Sequence, residues 1–344
     1  MLRCYLIFII STLFIAKICA SSINYEKYYY NTTIERGHVP KMYRSWSVDF
    51  PGYKPVAYTA ECPKDAICDP DIEDPNFNPR FNDYDGNVDR RRLKKQINGK
   101  HKLYGMNGKY PLNPNGRTGV TGRGVLLRYG PNYLIQVLIS RLIKLFSIFC
   151  QSIFKHILFR GQSVKEYIVI EPENPDDLVN FPEDFVNSTE FTFIPPKLYD
   201  LLLKELTKSY DPRHANYLLE KTFKNKVELY RGFVADNRNT DNAWIETLTI
   251  EYNDPKYKGI GKIKLNPQTN PMHLKWQILD LKFFVDSINK VLSKSDMSRA
   301  SKIARAVRVF FDNLKAGSPG HIYTALRVVL SVASLGLGVA SVAG

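Results

Sequence analysis

The chain has 344 residues, of which 44% are hydrophobic and 12% aromatic, and it carries a net charge of +14. This length allows one large or two ordinary domains, and the composition excludes a disordered chain. The charge is uneven, because the stretch from Arg90 to Lys165 contains sixteen Lys and Arg and no Asp or Glu. Such a basic field attracts phosphates. Since no nucleic-acid-binding motif accompanies it, we expect no nucleic-acid partner.

Residues 1–20 have the layout of a cleaved secretory signal peptide. Arg3 precedes an apolar run from Tyr5 to Ala16, and small residues lie before Ser21. The run is too short to favour a spanning helix. We therefore expect a protein of the secretory pathway, secreted or tethered to a membrane. A mitochondrial leader is the alternative, because no acid precedes Glu26.

Three cysteines remain once the signal peptide is removed. Cys62 and Cys68 enclose a short loop, and an oxidising compartment would allow a disulfide between them. The chain has neither paired CxxC motifs nor Cys and His at zinc-finger spacing. Two acceptor motifs for N-glycosylation, at Asn31 and Asn187, are consistent with a secreted chain.

Residues 21–45 are expected to form a linker, and residues 46–132 a first domain. This domain contains a glycine-rich loop, GRTGVTGRG, from Gly116 to Gly124. Its backbone would be able to approach an anion while Arg117 and Arg123 face it. The alternative is a turn whose glycines need positive φ and whose arginines are solvated. The loop is neither a Walker loop nor a Rossmann fingerprint.

A β-hairpin is predicted further along the chain. Val227 to Ala235 and Ala243 to Tyr252 are rich in β-branched and aromatic residues, and they flank a polar loop from Asp236 to Asn242. The loop residues favour turns and offer many hydrogen-bonding groups. We expect the polar end of this hairpin to carry function.

Four sequence blocks resemble the ADP-ribose pyrophosphatases of the Nudix superfamily. The ADP-ribose-sensing domain of a melastatin-type cation channel shares this resemblance. The blocks are WSVDFPGYKPVAYTA, DPDIEDPNFNPRFNDYDGNVDRR, NPNGRTGVTGRGVLLRYGPN and the hairpin run GFVADNRNTDNAWIET. The resemblance covers residues 46–132 and 164–292. It implies an α/β fold, with a Nudix-type mixed sheet between helices and a small N-terminal α+β domain. It also implies ADP-ribose or a related nucleotide diphosphate as ligand, and Mg²⁺-dependent hydrolysis to AMP and ribose 5-phosphate.

The resemblance further implies which residues bind the ligand. The relatives are expected to contact ADP-ribose at the positions of Asp236 and Arg238. A carboxylate suits ribose or amine hydrogens, and a guanidinium suits diphosphate oxygens. The remaining expected ligand-binding residues are Asp241 and Asn242 in the same loop, and Arg117 and Arg123 in the glycine-rich loop.

Residues 133–163 interrupt the resemblance as an apolar, basic insert. Tyr133 to Phe159 is almost wholly apolar, with a basic residue every several positions. This pattern predicts an amphipathic or interfacial helix, and membrane association through residues 133–159. The alternative is that the segment is not native coding sequence, for instance a retained intron.

The Nudix-like domain, residues 164–292, has a degenerate metal site. Relatives carry the box G-x5-E-x7-R-E-U-x-E-E-x-G-U, where U is aliphatic, and its helical glutamates jointly hold Mg²⁺. Here Glu183 and Asp184 replace the two glycines expected after Pro182, and Glu190 stands at the first glutamate. On the helix expected after Pro195-Pro196, R-E-U-x-E-E becomes Tyr199-Asp200-Leu201-Leu202-Leu203-Lys204.

The candidate metal ligands are therefore reduced to Glu190 and Asp200, with Lys204 repelling a cation. Glu205 would become a ligand only through a shift of register. The candidate catalytic residues are Glu190, Asp200 and Glu246, and a structural or solvent-facing glutamate is the alternative interpretation of Glu246. We infer that hydrolysis is weak or lost, so that Mg²⁺ is a cofactor only if the protein is active.

The end of the chain, residues 293–344, has no counterpart in the family. Ser298 to Leu314 predicts a basic amphipathic helix. The apolar run from Val328 to Ala343 has the form of a glycolipid-anchor signal, or of a flexible tail or marginal membrane segment.

Three functions follow from the sequence. The first is an ADP-ribose-binding protein with little hydrolysis, the second an active Mg²⁺-dependent ADP-ribose diphosphatase, and the third a secreted interaction protein without enzyme activity. In each case we expect a monomer.

Overall fold

The computed structural model describes residues 25–144, 163–173, 180–190, 193–224, 226–254 and 259–278. The strands are β1 (Val56–Thr59), β2 (Tyr84–Asp85), β3 (Val88–Asp89), β4 (Met106–Asn107), β5 (Tyr110–Pro111), β6 (Val120–Gly124), β7 (Gly130–Lys144), β8 (Ser163–Ile170), β9 (Glu183–Val186), β10 (Lys226–Phe233), β11 (Ala243–Asp254) and β12 (Leu274–Ile278). The helices are α1 (Pro196–Thr207) and α2 (Pro212–Lys224), with short 3-10 helices at Lys41–Tyr43 and Ile260–Lys262. The predicted signal peptide, the last fourteen residues of the Nudix-like domain (279–292) and the tail lie outside the described residues.

The largest sheet has six strands and mixes parallel with antiparallel pairing. Its order is β10-β11-β7-β8-β12, and β9 pairs with β7. Strand β7 runs parallel to β11 and antiparallel to both β8 and β9. A mixed sheet packed against helices agrees with the predicted α/β class.

The hairpin predicted around the polar loop is confirmed. Strands β10 and β11 pair antiparallel, from Lys226 opposite Tyr252 to Phe233 opposite Glu246. All of β11 is buried except Asn253, which is half-buried, as expected for a strand covered on both faces. The polar loop therefore joins an edge strand, β10, to a strand that is buried, β11.

The helix predicted from Tyr133 to Phe159 is wrong over residues 133–144, because these residues belong to β7. The strand lies beside β11 in the sheet, and residues 129–140 are all buried. An apolar run covered on both faces has no alternation, so periodicity does not separate it from a buried helix. The first basic residue of the run, Arg141, pairs with Glu166 of β8 at 2.6 Å. Residues 133–140 are sheet core and are not available to a membrane, whereas residues 145–162 lie outside the described residues.

Both described helices pack on one face of the sheet. Helix α1 begins at Pro196, and α2 begins with Pro212 after Asp211, whose carboxylate accepts hydrogen bonds from the backbone of Arg213 and His214. Their buried residues form one cluster with Ile135, Val137 and Ile139 of β7 and with apolar residues of β8, β11 and β12; the helical members are Leu198, Leu201, Leu202, Leu206, Ala215, Leu218 and Leu219. The four buried leucines of α1 are therefore core residues. No helix in the described stretches is both long and apolar enough to cross a membrane.

The N-terminal part consists of loops tied together by short strands and buried ion pairs. Strand β1 pairs with β6, β2 with β3, and β4 with β5. Residues 25–36, which we expected to form part of a linker, instead pack on the hairpin loop. Tyr29 is 1% exposed, and the guanidinium of Arg36 donates to the carbonyl oxygens of Thr118, Asn237 and Asn239.

Candidate functional site

The inner half of the polar hairpin loop is buried against the N-terminal part of the chain. Asp241 is only 3% exposed. One of its carboxylate oxygens accepts hydrogen bonds from the backbone nitrogen and hydroxyl of Thr118 at 2.7 and 2.8 Å, and the other accepts from the Tyr53 hydroxyl at 2.5 Å. Burial raises the pKa of Asp241 to about 6, against the opposing effect of these hydrogen bonds. Asp241 thus connects the hairpin by hydrogen bonds to Tyr53 and to Thr118, which precedes β6.

Asn242 makes the same kind of connection. Its side-chain oxygen accepts from the Thr121 hydroxyl at 2.5 Å and from the Gly122 nitrogen at 3.0 Å, and its amide donates to the Pro111 carbonyl at 3.1 Å. The hydrogen-bonding groups of Asp241 and Asn242 are therefore used within the protein. Their predicted roles as ligand-binding residues stay predictions.

The outer half of the loop is more open. Asp236 and Arg238 form a two-pronged ion pair, with Nε and Nη2 of Arg238 each 2.8 Å from a different carboxylate oxygen. Their side chains are 22% and 20% exposed. The Arg238 guanidinium lies over the rings of Phe185 and Tyr30, at 5.4 and 5.8 Å. This end of the loop combines half-buried charges with two aromatic rings.

A small cavity lies next to Phe185, between the N-terminal loops and the strand pair β7 and β9. Its volume is about 30 Å³, roughly the space of two water molecules and too small for a nucleotide. It is lined by Val88, Asp89, Leu127, Arg128, Pro131, Asn132, Tyr133, Phe185, Val186 and Asn187. A nucleotide bound at Arg238 would therefore lie mainly outside this cavity.

Glu190 is held by an arginine from the N-terminal part. Nη2 of Arg91 lies 2.9 Å from a Glu190 carboxylate oxygen, and Arg91 also binds Asp89 through two hydrogen bonds. The nearby Tyr84 hydroxyl and the Arg91 guanidinium lower the pKa of Glu190. The Tyr84 ring stacks under Arg91 at 4.0 Å. The carboxylate is thereby kept charged and already paired.

Glu246 is held by the next arginine in the sequence. Its side chain is completely buried, and it accepts hydrogen bonds from Nε of Arg92 at 3.1 Å, from Nε1 of Trp244 at 3.3 Å and from the Leu93 nitrogen. Burial raises the pKa of Glu246, and Arg92 acts in the opposite direction. These contacts match a structural carboxylate better than a solvent-facing one, and the catalytic role of Glu246 stays a prediction.

Asp200 is placed apart from these two glutamates. It lies on an exposed part of α1 and lines a different cleft, of about 390 Å³, together with Phe193, Tyr199 and Tyr252. Glu205, on the same helix, binds Lys208 at 2.7 Å. Glu183 and Asp184 stand where glycines were expected, but they lie in β9, pair with β7 and have no positive φ that would require glycine.

The glycine-rich loop matches the turn interpretation in its backbone. Gly116, Gly119, Gly122 and Gly124 all have positive φ. Its arginines are not solvated, however: Arg117 donates to the carbonyls of Tyr43, Ser45 and Val48, and Arg123 donates to those of Ala60 and Leu126. The anion-binding role of Arg117 and Arg123 stays a prediction.

Cys62 and Cys68 form a disulfide with their Cα atoms 5.8 Å apart.

The chain is similar to known proteins over most of the described region. Residues 39–130 match the family described as the NUDT9-like N-terminal domain. A rat relative, "ADP-ribose pyrophosphatase, mitochondrial", is 32% identical over 260 residues, which is 72% of this chain and 69% of the relative. A Caenorhabditis elegans relative, "Putative nudix hydrolase 6", is 30% identical over 240 residues, 68% of this chain and 79% of the relative.

The chain belongs to the ADP-ribose pyrophosphatase family of the Nudix superfamily. It is also 31% identical over 267 residues to mouse "Transient receptor potential cation channel subfamily M member 2", of which it covers only 16%. The likeness to the channel therefore concerns one portion of that protein. The family predicted from the sequence blocks is confirmed.

For a member of the ADP-ribose pyrophosphatase family, the acids described here do not fit a Mg²⁺ site. Magnesium requires several oxygen ligands in an octahedral arrangement. Glu190 is paired with Arg91, Glu246 is enclosed with Arg92, and Asp200 stands in another cleft. Within the described residues, no three His, Cys, Asp or Glu side chains lie together as a metal-binding group would require.

Arg91 and Arg92 are the residues of this family member that our sequence analysis missed. They follow Asp89-Arg90 at the start of the stretch without acids, and each pairs with an acid about 100 or more positions away. Arg90 in turn pairs with Asp69 and Asp85, both at 2.7 Å. The run of three arginines was the available signal, but its partners are identified only by the fold.

Proposed function

We propose that this protein binds ADP-ribose or a related nucleoside diphosphate sugar at the Asp236–Arg238 end of the hairpin loop, and that hydrolysis is weak or lost. Membership in the ADP-ribose pyrophosphatase family supports an ADP-ribose-related Nudix function. We also propose that the first domain ends at about residue 132, and that residues 133–144 belong to the Nudix-like domain rather than to an insert, because they lie in the middle strand of its sheet.

The binding half of the proposal rests on the half-buried guanidinium of Arg238. Asp236 fixes its orientation through Nε and Nη2, and Nη1 has no hydrogen-bond partner among the described residues. A preoriented guanidinium loses little entropy when it binds a phosphate oxygen. The rings of Phe185 and Tyr30 beside it offer surfaces on which a nucleobase or ribose would pack. The pair thus supplies charge and apolar area together.

The loss of hydrolysis rests on one observation: consecutive arginines pair with two of the three acids expected to serve the reaction. Arg91 pairs with Glu190, and Arg92 pairs with Glu246. A guanidinium already neutralises each carboxylate and repels a divalent cation at that position. Both pairs would have to break before either acid served as a metal ligand or a general base.

The alternative of an active diphosphatase is supported by the names of two relatives, ADP-ribose pyrophosphatase and nudix hydrolase. If the protein is an active diphosphatase, Glu190 would have to leave Arg91 in order to bind Mg²⁺. A secreted interaction protein without nucleotide binding is the third possibility. It requires that Arg238 has no ligand at all.

Thermal unfolding of the full chain with and without ADP-ribose tests the proposal. We expect the unfolding temperature to rise with ADP-ribose concentration, because the ligand binds only the folded state. Arg238→Ala and Asp236→Ala should each weaken binding by about tenfold or more, since a hydrogen bond to a charged group contributes about 1.5–3 kcal/mol. Arg213→Ala, an exposed arginine in the first turn of α2, is the control and should leave the shift unchanged. No shift for the unmodified chain would support the interaction protein instead.

The location of the protein is also a proposal. The Cys62–Cys68 disulfide supports entry into the secretory pathway, where disulfides persist. The rat relative, by contrast, is named as mitochondrial, which supports the alternative. Treatment of the protein expressed in its host cells with a peptide N-glycosidase separates them. A mass decrease supports secretory entry, and an unmodified protein that copurifies with mitochondria supports the alternative. We propose a monomer, which light scattering would check.

A further inference from the structure

A second cleft, larger than the cavity at Phe185, lies wholly in the N-terminal part of the chain. Its volume is about 640 Å³, in the range of small-molecule sites. Lys41, Arg44, Trp46, Arg92, Tyr104 and the loop from Asn113 to Gly116 contribute to its walls. We call this the basic cleft, because its described lining has three cations and no Asp or Glu. It shares no lining residue with the cavity at Phe185.

Arg44 is the cation in this cleft that most needs a partner. Its Nε is buried and makes no hydrogen bond, and no ion pair of its guanidinium occurs within the described residues. Burial lowers the pKa of Arg44, so its charge is held at a cost. A buried polar atom without a partner calls for an explanation, such as an ion or ligand that satisfies it.

The other two cations add to the same field. Lys41 is exposed in the 3-10 helix that precedes Arg44. Arg92 lines the cleft and also pairs with Glu246, so part of its charge is already neutralised. Cations on the low-dielectric walls of a cleft concentrate anions there. The free charge of the basic cleft therefore comes mainly from Lys41 and Arg44.

The wall beside Arg44 is rigid. Gly116 has φ +92°, and a Cβ atom there would lie 2.1 Å from the Arg44 carbonyl oxygen, so the two backbone segments are in direct contact. The Arg44 carbonyl also accepts a hydrogen bond from the Arg117 nitrogen at 2.8 Å. Nε1 of Trp46 donates to the Asn113 carbonyl at 2.8 Å, which fixes the indole in the wall. A preformed site of this kind does not pay an ordering cost on binding.

We propose that the basic cleft binds the phosphate group of a small molecule, with Lys41 and Arg44 as its charged ligands. The rigid Trp46 wall favours a phosphate that carries a ring, such as a nucleoside monophosphate, over the free ion. This site is separate from the one at Arg238. It would give the protein a second anion-binding function in the N-terminal domain.

Calorimetric titration of the full chain without divalent metal tests this site, with AMP, ribose 5-phosphate and inorganic phosphate as probes. We expect AMP to bind, and Lys41→Ala with Arg44→Ala to weaken its binding about a hundredfold, about tenfold for each cation. Arg44→Lys keeps the charge and should retain most of the affinity. Arg80→Ala, an exposed arginine outside the cleft, should leave it unchanged.

Arg238→Ala separates this proposal from the proposed ADP-ribose site. Binding of AMP that survives Arg238→Ala but not the Lys41 and Arg44 substitutions supports the basic cleft, whatever becomes of ADP-ribose binding. The proposal is overturned if none of the three phosphates binds, if the double substitution has no effect, or if Arg80→Ala lowers the affinity equally.

Discussion

The carboxylate of Glu246, completely buried in β11, lies 3.1 Å from Nε of Arg92, 154 positions away in the sequence. The Leu93 nitrogen and Trp244 Nε1 donate to the same carboxylate. A buried charge with this many partners costs little while the set is complete and a great deal once one partner is lost. The pair joins the N-terminal loops to the central sheet.

Removal of Arg92 should destabilise the whole fold. We expect Arg92→Ala to lower the free energy of unfolding by about 3–5 kcal/mol, because Glu246 is left buried without its cation. Urea unfolding followed by circular dichroism measures this loss. Arg92→Ala combined with Glu246→Ala should cost less than the sum of the single substitutions. Additive losses would show that the two side chains are not coupled.

The stability should depend on pH through Asp241. Its pKa of about 6 in the folded protein exceeds the ordinary value of 3.8, so the folded state takes up a proton where the unfolded chain is still ionised. This contribution is fully present below about pH 4 and is lost as pH rises through 6. The total loss of stability across this pH range is about 3 kcal/mol.

Asp241→Asn isolates this contribution. We expect the stability difference between the unmodified protein and Asp241→Asn to move by about 3 kcal/mol against the unmodified protein from pH 4 to pH 7. Urea unfolding at several pH values measures it. A difference that stays constant with pH would contradict the raised pKa.

Two glycines with positive φ should respond differently to the same substitution. A Cβ atom at Gly119, φ +84°, would lie 2.2 Å from the Gly37 carbonyl oxygen, whereas one at Gly86, φ +62°, meets nothing within 4 Å. Gly86→Ala should cost about 1–2 kcal/mol from backbone strain alone. Gly119→Ala should cost clearly more, because two backbone segments must separate. Thermal unfolding compares them, and equal losses would contradict the close packing of residue 37 against β6.

The packing of α1 on the sheet is tested at Leu202, which is completely buried. Leu202→Ala should cost about 2–5 kcal/mol, as for other leucines in closed cores. Lys204→Ala, an exposed position on the same helix, is the control and should change stability by less than about 0.5 kcal/mol. If both substitutions had the same small effect, α1 would not be packed as described.

The elements with a clear local pattern were predictable. The hairpin showed β-branched strands around a polar loop, and α1 showed leucines at helical spacing behind a proline. Strand β7 was not predictable, because its residues 130–140 are buried on both faces and have no alternation that would exclude a helix. Neighbouring strands far away in the sequence decide its structure.

The candidate site was predictable only in part. Motif blocks pointed to Asp236 and Arg238, whose binding roles stay predictions, since a family resemblance is a local property of the sequence. The pairing of Arg91 with Glu190 and of Arg92 with Glu246 joins residues that only the fold brings together. The same holds for Asp241, whose burial depends on Tyr53 and Thr118.

The most direct test of the central claim is one calorimetric titration of the full chain with ADP-ribose, with and without Mg²⁺, followed by an assay of the same samples for AMP. We predict binding without metal, an affinity that Mg²⁺ changes by less than about threefold, and no AMP above the uncatalysed background. Binding that requires Mg²⁺, together with steady release of AMP, would contradict the account.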